Sequence, residues 1–110
     1  MLPQRLRLRK RAEFVAVLRR GRKVIRPTLV LYALSSEQAR FGVVVGKRVG
    51  PAVTRNRVKR RLRHGASDLL VGSPALDVVV RALPAAGEPG AALLGDLRSA
   101  WQDAAGVVGS

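Results

Sequence analysis

The sequence predicts an α+β fold with the element order αβββαβα, in which a mostly antiparallel four-stranded sheet is packed with helices. Three observations lead there. The chain has 110 residues, the size of one small domain, and 47% of them are hydrophobic, enough to bury a core. Three segments repeat apolar residues at helical spacing, and four shorter segments are dense in β-forming residues with turn residues between them. No repeat or second apolar unit is visible, so residues 1–110 are expected to form a single domain.

The elements follow in order. Residues 1–10 read as a basic arm, and Arg7, Arg9, Lys10 and Arg11 are its main cations. A helix is predicted from Arg11 to Arg20, because Phe14, Val17 and Leu18 fall at i, i+3 and i+4 on one face. Gly21 ends it, and Arg19 and Arg20 stand in the last turn, where cations suit the macrodipole. Strands are predicted at Arg22–Arg26, which stops before Pro27, at Thr28–Leu34, and at Arg40–Val45. In the second of these, Val30 and Tyr32 point opposite to Leu29 and Leu31. Short connections between the three predict an antiparallel meander. Gly42, Gly46 and Gly50 are expected at turn and bulge positions around a strand end.

A helix then starts near Pro51 and continues to the break at Gly72-Ser-Pro74. Its apolar stripe is Val58, Leu62, Ala66 and Leu69, with Asn56, Arg57, Lys59, Arg60, Arg61 and Arg63 fanned around the rest. Arg55 falls nearer the stripe and is expected to bend clear of it. Leu76–Leu83 reads as the fourth strand and Pro84–Gly90 as a loop. Ala91–Ala105 reads as a last amphipathic helix with Leu93, Leu94, Leu97 and Trp101 on one side. Residues 106–110 are expected to fray.

Charge narrows the function. Lys and Arg number 21 against 7 acids, a formal net charge of +14. Residues 1–63 hold 19 of the basic and 2 of the acidic side chains, so one half of the chain carries the excess. A polyanionic partner is the usual relief for such self-repulsion. With no cysteine, disulfides and thiolate metal sites are excluded. No apolar run approaches the roughly 18 residues that cross a bilayer, and the start lacks a signal-peptide core, so a cytoplasmic protein without membrane association is expected.

A protein active site looks absent. The one histidine, His64, reads as a surface residue of the second helix. The seven carboxylates are nowhere spaced three or four apart, and no nucleophile–base pair, metal cluster or Walker loop is present. Neither a small-molecule substrate nor a protein-held metal is expected. Features for binding RNA are denser. Thr54 to Arg63 packs five Arg and one Lys into ten residues without an acid, whereas a solvated helix face mixes signs. Asn56 between Arg55 and Arg57 adds an amide able to meet a base edge or a 2′-hydroxyl, or simply to serve as a polar helix-start residue. Phe41 and Trp101 read as core. For Phe14 and Tyr32, sheet–helix packing and a stacking platform for unpaired bases are equally open on pattern alone.

These residues also carry a resemblance. Leu8-Arg-Lys-Arg-Ala-Glu-Phe14, Leu29-Val-Leu-Tyr32, Arg40-Phe-Gly-Val-Val-Val-Gly-Lys-Arg-Val-Gly50 and Ala52-Val-Thr-Arg-Asn-Arg-Val-Lys-Arg-Arg61 together resemble the protein subunit of bacterial ribonuclease P over nearly the whole chain. The resemblance implies a ribonucleoprotein endonuclease in which RNA is the catalyst, removing the 5′ leader of precursor tRNA with Mg²⁺. It implies a left-handed βαβ crossover, against the general rule for parallel strands. It assigns Arg55, Asn56, Arg57, Lys59, Arg60, Arg61 and, by continuation, Arg63 to the catalytic RNA. Phe14 and Tyr32 line a leader cleft, with Lys47 and Arg48 at its rim, and the arm (Arg7, Arg9, Lys10, Arg11) is auxiliary. The implied partners are the catalytic RNA and precursor tRNA.

Three positions depart from the family pattern. Leu18 stands where an aromatic is common, Pro51 where a polar residue is usual, and His64-Gly65 is expected to end or kink the basic helix early. A small structural RNA-binding protein, such as a ribosomal protein, is the alternative that shares charge and fold class. A self-sufficient protein nuclease is disfavoured by the missing catalytic groups.

Overall fold

The computed structural model of the protein describes residues 3–108, with side chains as far as Gly106. Helix α1 spans Arg11–Arg20, strand β1 Arg22–Ile25, β2 Leu29–Ser35, β3 Arg40–Val44, helix α2 Ala52–Val71, β4 Leu76–Ala82 and helix α3 Leu93–Val108. Short 3-10 turns occupy Gln4–Leu6, Lys47–Val49 and Pro84–Gly87. The predicted element order therefore holds. α3 runs past Gly106, where fraying was expected, and residues 109–110 lie outside those described.

The strand pairing differs from a meander. The sheet order is β1-β2-β4-β3, with β1·β2 and β2·β4 antiparallel and β3·β4 parallel. β2 and β4 each carry a five-residue buried run, Leu29 to Ala33 and Leu76 to Val80, so both belong inside the sheet with both faces covered. β3, which begins at Arg40 and contains Gly42, takes the edge, and α2 makes the crossover back to β4.

Register sorts the side chains onto two faces. Leu29, Leu31, Phe41, Val78 and Val80 face α2 and α3, where they pack with Val58, Leu62, Ala66, Leu70, Leu97 and Trp101. Leu70 rather than Leu69 completes the buried stripe of α2. Phe41 and Trp101 stack at 5.9 Å between ring centroids. Burying the Val and Leu side chains of this stripe contributes about 1.5–3 kcal/mol each, which decides that α2 folds despite its charge. The opposite face carries a smaller cluster of Leu8, Val17, Val30, Tyr32 and Val79 beneath α1.

α2 is unbroken through His64-Gly65, contrary to expectation. A Cβ at Gly65 would stand 2.9 Å from Leu94 Cδ2 and 3.1 Å from Leu97 Cδ2, so the glycine gives room for the close approach of α3 and marks no bend. Gly42 is likewise mid-strand and not at a turn. A Cβ there would lie 2.6 Å from Phe14 Cζ, since the Phe14 ring rests directly on the strand. Of the three glycines read as turn residues, Gly50 alone takes a left-handed φ, +149°.

The arm is not a free tail. Leu8 is 4% exposed, its N–H donates to the Phe41 carbonyl at 2.9 Å, and Arg7 bridges in parallel to Phe41. The apolar half of the arm pattern thus docks it along the open edge of β3. Just beyond, Glu13 accepts the backbone N–H of Lys10 at 3.0 Å and of Arg9 at 3.3 Å, anchoring the start of α1. Its second oxygen receives Arg40 Nη1 at 2.6 Å, while Arg40 Nε and Nη2 grip Asp77 at 3.0 and 2.9 Å. One guanidinium therefore ties arm, α1, β3 and β4 together.

Two outcomes are expected. Gly42→Ala should destabilise the fold by about 1–3 kcal/mol in urea unfolding, because Phe14 must leave its seat. The Lys10 N–H, chiefly, and the Arg40 contact hold the Glu13 carboxyl below its ordinary value. Its contribution is then full above the ordinary glutamate range and lost as pH falls through the lowered value. The stability difference between the native chain and Glu13→Gln should accordingly be present at neutral pH and vanish in acid; a pH-independent difference would remove the carboxylate from this role.

Candidate nucleic-acid interfaces

Two surfaces gather the residues singled out by sequence, and they lie on different sides of the sheet. The first is α2. Asn56, Arg57, Arg60, Arg61 and His64 are exposed, Lys59 and Arg63 half-buried, and none of these cations forms an ion pair among the described residues. Four of the seven acids are engaged elsewhere: Asp96 accepts Thr28 Oγ1 at 2.7 Å, Asp103 pairs with Arg26, and Glu13 and Asp77 share Arg40.

Three consequences follow for α2. Arg57–Arg61 and Lys59–Arg63 repel at i,i+4, as do Arg57–Arg60 and Arg60–Arg63 at i,i+3, each by about 0.2–0.5 kcal/mol. The first turn contains no acid and the last turn no base, so the charges also oppose the macrodipole. An anionic partner removes both penalties at once.

Arg55 stands apart from this fan. It points to the packed side of α2, and its Nε is buried without a hydrogen-bond partner among the described residues. It does not bend clear to join the other cations, because at 100° per residue it shares the direction of Val58 and Leu62.

The second surface is the sheet face beneath α1. Across the strands, Lys23, Tyr32, Val79 and Gly42 form one row, and Ile25, Val30, Arg81 and Val44 form the next. Phe14 covers Gly42, so Phe14 and Tyr32 do share a face. Tyr32 is only 7% exposed, however, and is a wall of this surface more than an open platform. The apolar area open to solvent comes instead from Leu18, 39% exposed, Val44 and Ile25, 62% exposed. Lys23 and Arg81 are exposed beside them.

Sequence reading had not marked Lys23, Ile25, Val44 or Arg81. Their signal was the period-two alternation that puts them on the Tyr32 face once the register is known. Lys47 and Arg48 are exposed on the 3-10 turn that follows β3, between this face and α2 in the chain.

The arm adds a third basic concavity of about 550 Å³, where Arg5, Arg7, Arg9 and Lys10 surround the Glu13–Arg40 pair. Arg11, at the first position of α1, is exposed nearby. No group of three or more His, Cys, Asp or Glu side chains fit to hold a metal occurs among the described residues. No described helix is long and apolar enough to cross a membrane.

Comparison with known proteins gives this geometry a family. The Ribonuclease P family profile matches residues 2–105. The ribonuclease P protein component of Rhodococcus erythropolis is 50% identical over 98 residues, covering 78% of this chain and 77% of that protein. The one from Streptomyces bikiniensis is 46% identical and covers 93% of this chain and 94% of its own. The solved structure of the Staphylococcus aureus RNase P protein superposes with a TM-score of 0.83 at 26% identity, over 90% of this chain and 94% of that one. The Thermotoga maritima RNase P protein shares the fold, with a TM-score of 0.77 at 22% identity over 88% and 96%. The chain belongs to the ribonuclease P protein family.

Proposed function

We propose that the chain is the protein subunit of a ribonuclease P holoenzyme, holding the catalytic RNA through α2 and the 5′ leader of precursor tRNA on the sheet face beneath α1. The observation that carries this reading is the acid-free, unpaired basic face of α2 in a chain of this family. Arg57, Lys59, Arg60, Arg61 and Arg63 supply phosphate contacts, and Asn56 an amide for a base edge or 2′-hydroxyl. Arg55, turned inward, braces the start of the helix and reaches the RNA by its guanidinium end alone.

On the other side, Leu18, Val44 and Ile25 offer open apolar surface to unpaired leader bases, and Phe14 and Tyr32 form the aromatic wall beside it. Lys23, Arg81, Lys47 and Arg48 offer charge to its phosphates. Stacking and phosphate contact are both tolerant of sequence, which suits a substrate class whose leaders differ. The arm cations Arg7, Arg9, Lys10 and Arg11 extend the positive field from the edge of β3.

The chemistry in this reading belongs to the RNA. The described residues bring together no donor set for Mg²⁺, so the ion is assigned to RNA and substrate phosphates. The protein lowers the repulsion between two polyanions, and cleavage then needs less Mg²⁺. It acts in the cell compartment where tRNA matures, the cytoplasm.

Reconstitution with a bacterial ribonuclease P RNA at low Mg²⁺ tests the proposal. The chain should stimulate 5′ cleavage of precursor tRNA and show none alone; absence of stimulation would sink it. Arg57→Ala should weaken assembly and reduce the salt slope of RNA binding by about 1. The leader assignment has its own check in Ile25→Glu, which sits on an exposed position and spares the core. It should weaken binding of precursor tRNA several-fold and leave mature tRNA unchanged, whereas equal losses would remove the leader from this face.

A further inference from the structure

The basic face of α2 is not one surface. A groove of about 490 Å³ lies on one side, lined by Val53, Asn56, Lys59, Arg60 and Arg63. A second, of about 350 Å³, lies on the other, lined by Arg57, Arg60, Arg61, His64 and, from α3, Leu94. Arg60 is the only residue common to both and forms the crest between them. At 100° per residue, the mean directions of Asn56, Lys59 and Arg63 and of Arg57, Arg61 and His64 diverge by roughly 130°.

Each flank holds at least two permanent cations, and neither groove is lined by a carboxylate. The only acid of the helix, Asp68, lies a full turn beyond His64. A single RNA strand laid along one flank would leave the other cations unneutralised, across a helix about 10–12 Å wide with its side chains.

We infer that α2 is a ridge seated between two RNA backbone segments, with Lys59 and Arg63 on the phosphates of one and Arg57 and Arg61 on those of the other. Arg60 stands at the crest, within reach of both. This rests on the reading of α2 as the contact to the catalytic RNA and specifies the shape of what it contacts. A regular A-form duplex does not fit, because its major groove is too narrow to admit side chains and its minor groove too shallow to flank a helix on both sides. The partner is a place where two strands of a folded RNA run side by side about a helix diameter apart, as at a junction. Each flank also offers one apolar side chain, Leu94 of α3 in one groove and Val53 in the other.

The chain has no cysteine, so a cleaving probe can be attached at one position without background. Asn56 and Arg57 are consecutive, stand at the same level of the helix and line opposite grooves. Hydroxyl-radical probes on Asn56→Cys and Arg57→Cys, each bound to a bacterial ribonuclease P RNA, should cut two segments that are distant in the RNA sequence. Cuts centred on one contiguous segment from both positions would overturn the inference while leaving RNA binding by α2 intact.

Salt dependence supplies the second measurement. The pairs Lys59→Ala/Arg63→Ala and Arg57→Ala/Arg61→Ala should each lower the slope of log K against log salt by about 2, and together by about 4. A slope unchanged by either pair would leave that flank in solvent and overturn the two-strand arrangement. Failure of the unmodified chain to bind the RNA at all would overturn the functional reading, and this inference with it.

Discussion

β4 enters the sheet last and between strands already paired or exposed, and nearly every other element takes its position from that insertion. From Leu76 to Val80 its side chains are buried on both faces. Val78 and Val80 meet the core under α2 and α3, while Val79 joins the cluster beneath α1 and Asp77 holds Arg40. Because β3 lies parallel to β4 at the edge, α2 crosses from one to the other and packs over β3, beside α3, which covers β1 and β2. The apolar stripe of α2 is anchored and its remaining circumference stands outward. The strand that carries none of the candidate binding residues except Arg81 thus determines where the others point.

The cost of that exposed circumference is modest beside the burial that opposes it. Four like-charge pairs on α2 amount to roughly 1–2 kcal/mol, whereas Val58, Leu62 and Leu70 alone contribute more than twice that. The helix can therefore be preformed and still carry unneutralised charge into an encounter. Arg40 shows the contrasting use of the same residue type. Paired with both Glu13 and Asp77, it joins the arm and α1 to the sheet.

Much of this was legible in the sequence, because the helices and strands announce themselves through local periodicity. The segments at Arg11–Arg20, Leu29–Ser35 and Leu76–Ala82 needed nothing beyond spacing and β-forming composition. Pairing order was not legible, since β2 and β4 are both largely apolar and their partners are chosen among segments far apart in the chain. The glycines misled for a related reason. Gly42 and Gly65 read as breaks, yet each answers to a distant side chain, Phe14 in one case and Leu94 in the other. Arg55 reads from the sequence as lying near the apolar stripe, as helix geometry requires, but the burial of its Nε depends on what packs against α2. Lys23, Ile25, Val44 and Arg81 are single residues in ordinary strands, and only the register makes them a surface.

The two candidate surfaces are mechanically one object, because β3 borders both. At its centre Gly42 accepts the Phe14 ring, at its start Arg40 fixes α1, and its end passes through Lys47 and Arg48 into α2. Between the sheet face beneath α1 and the basic helix the chain makes only a short connection, built on a 3-10 turn closed by Gly50. A polyanion gripped on either side is therefore held at a set distance and angle from one gripped on the other. In the proposed reading, that is what the chain contributes to a reaction performed by RNA. It offers a rigid spacer whose two faces favour phosphate, so that the entropy of aligning catalyst and substrate is lost at binding and not at the chemical step.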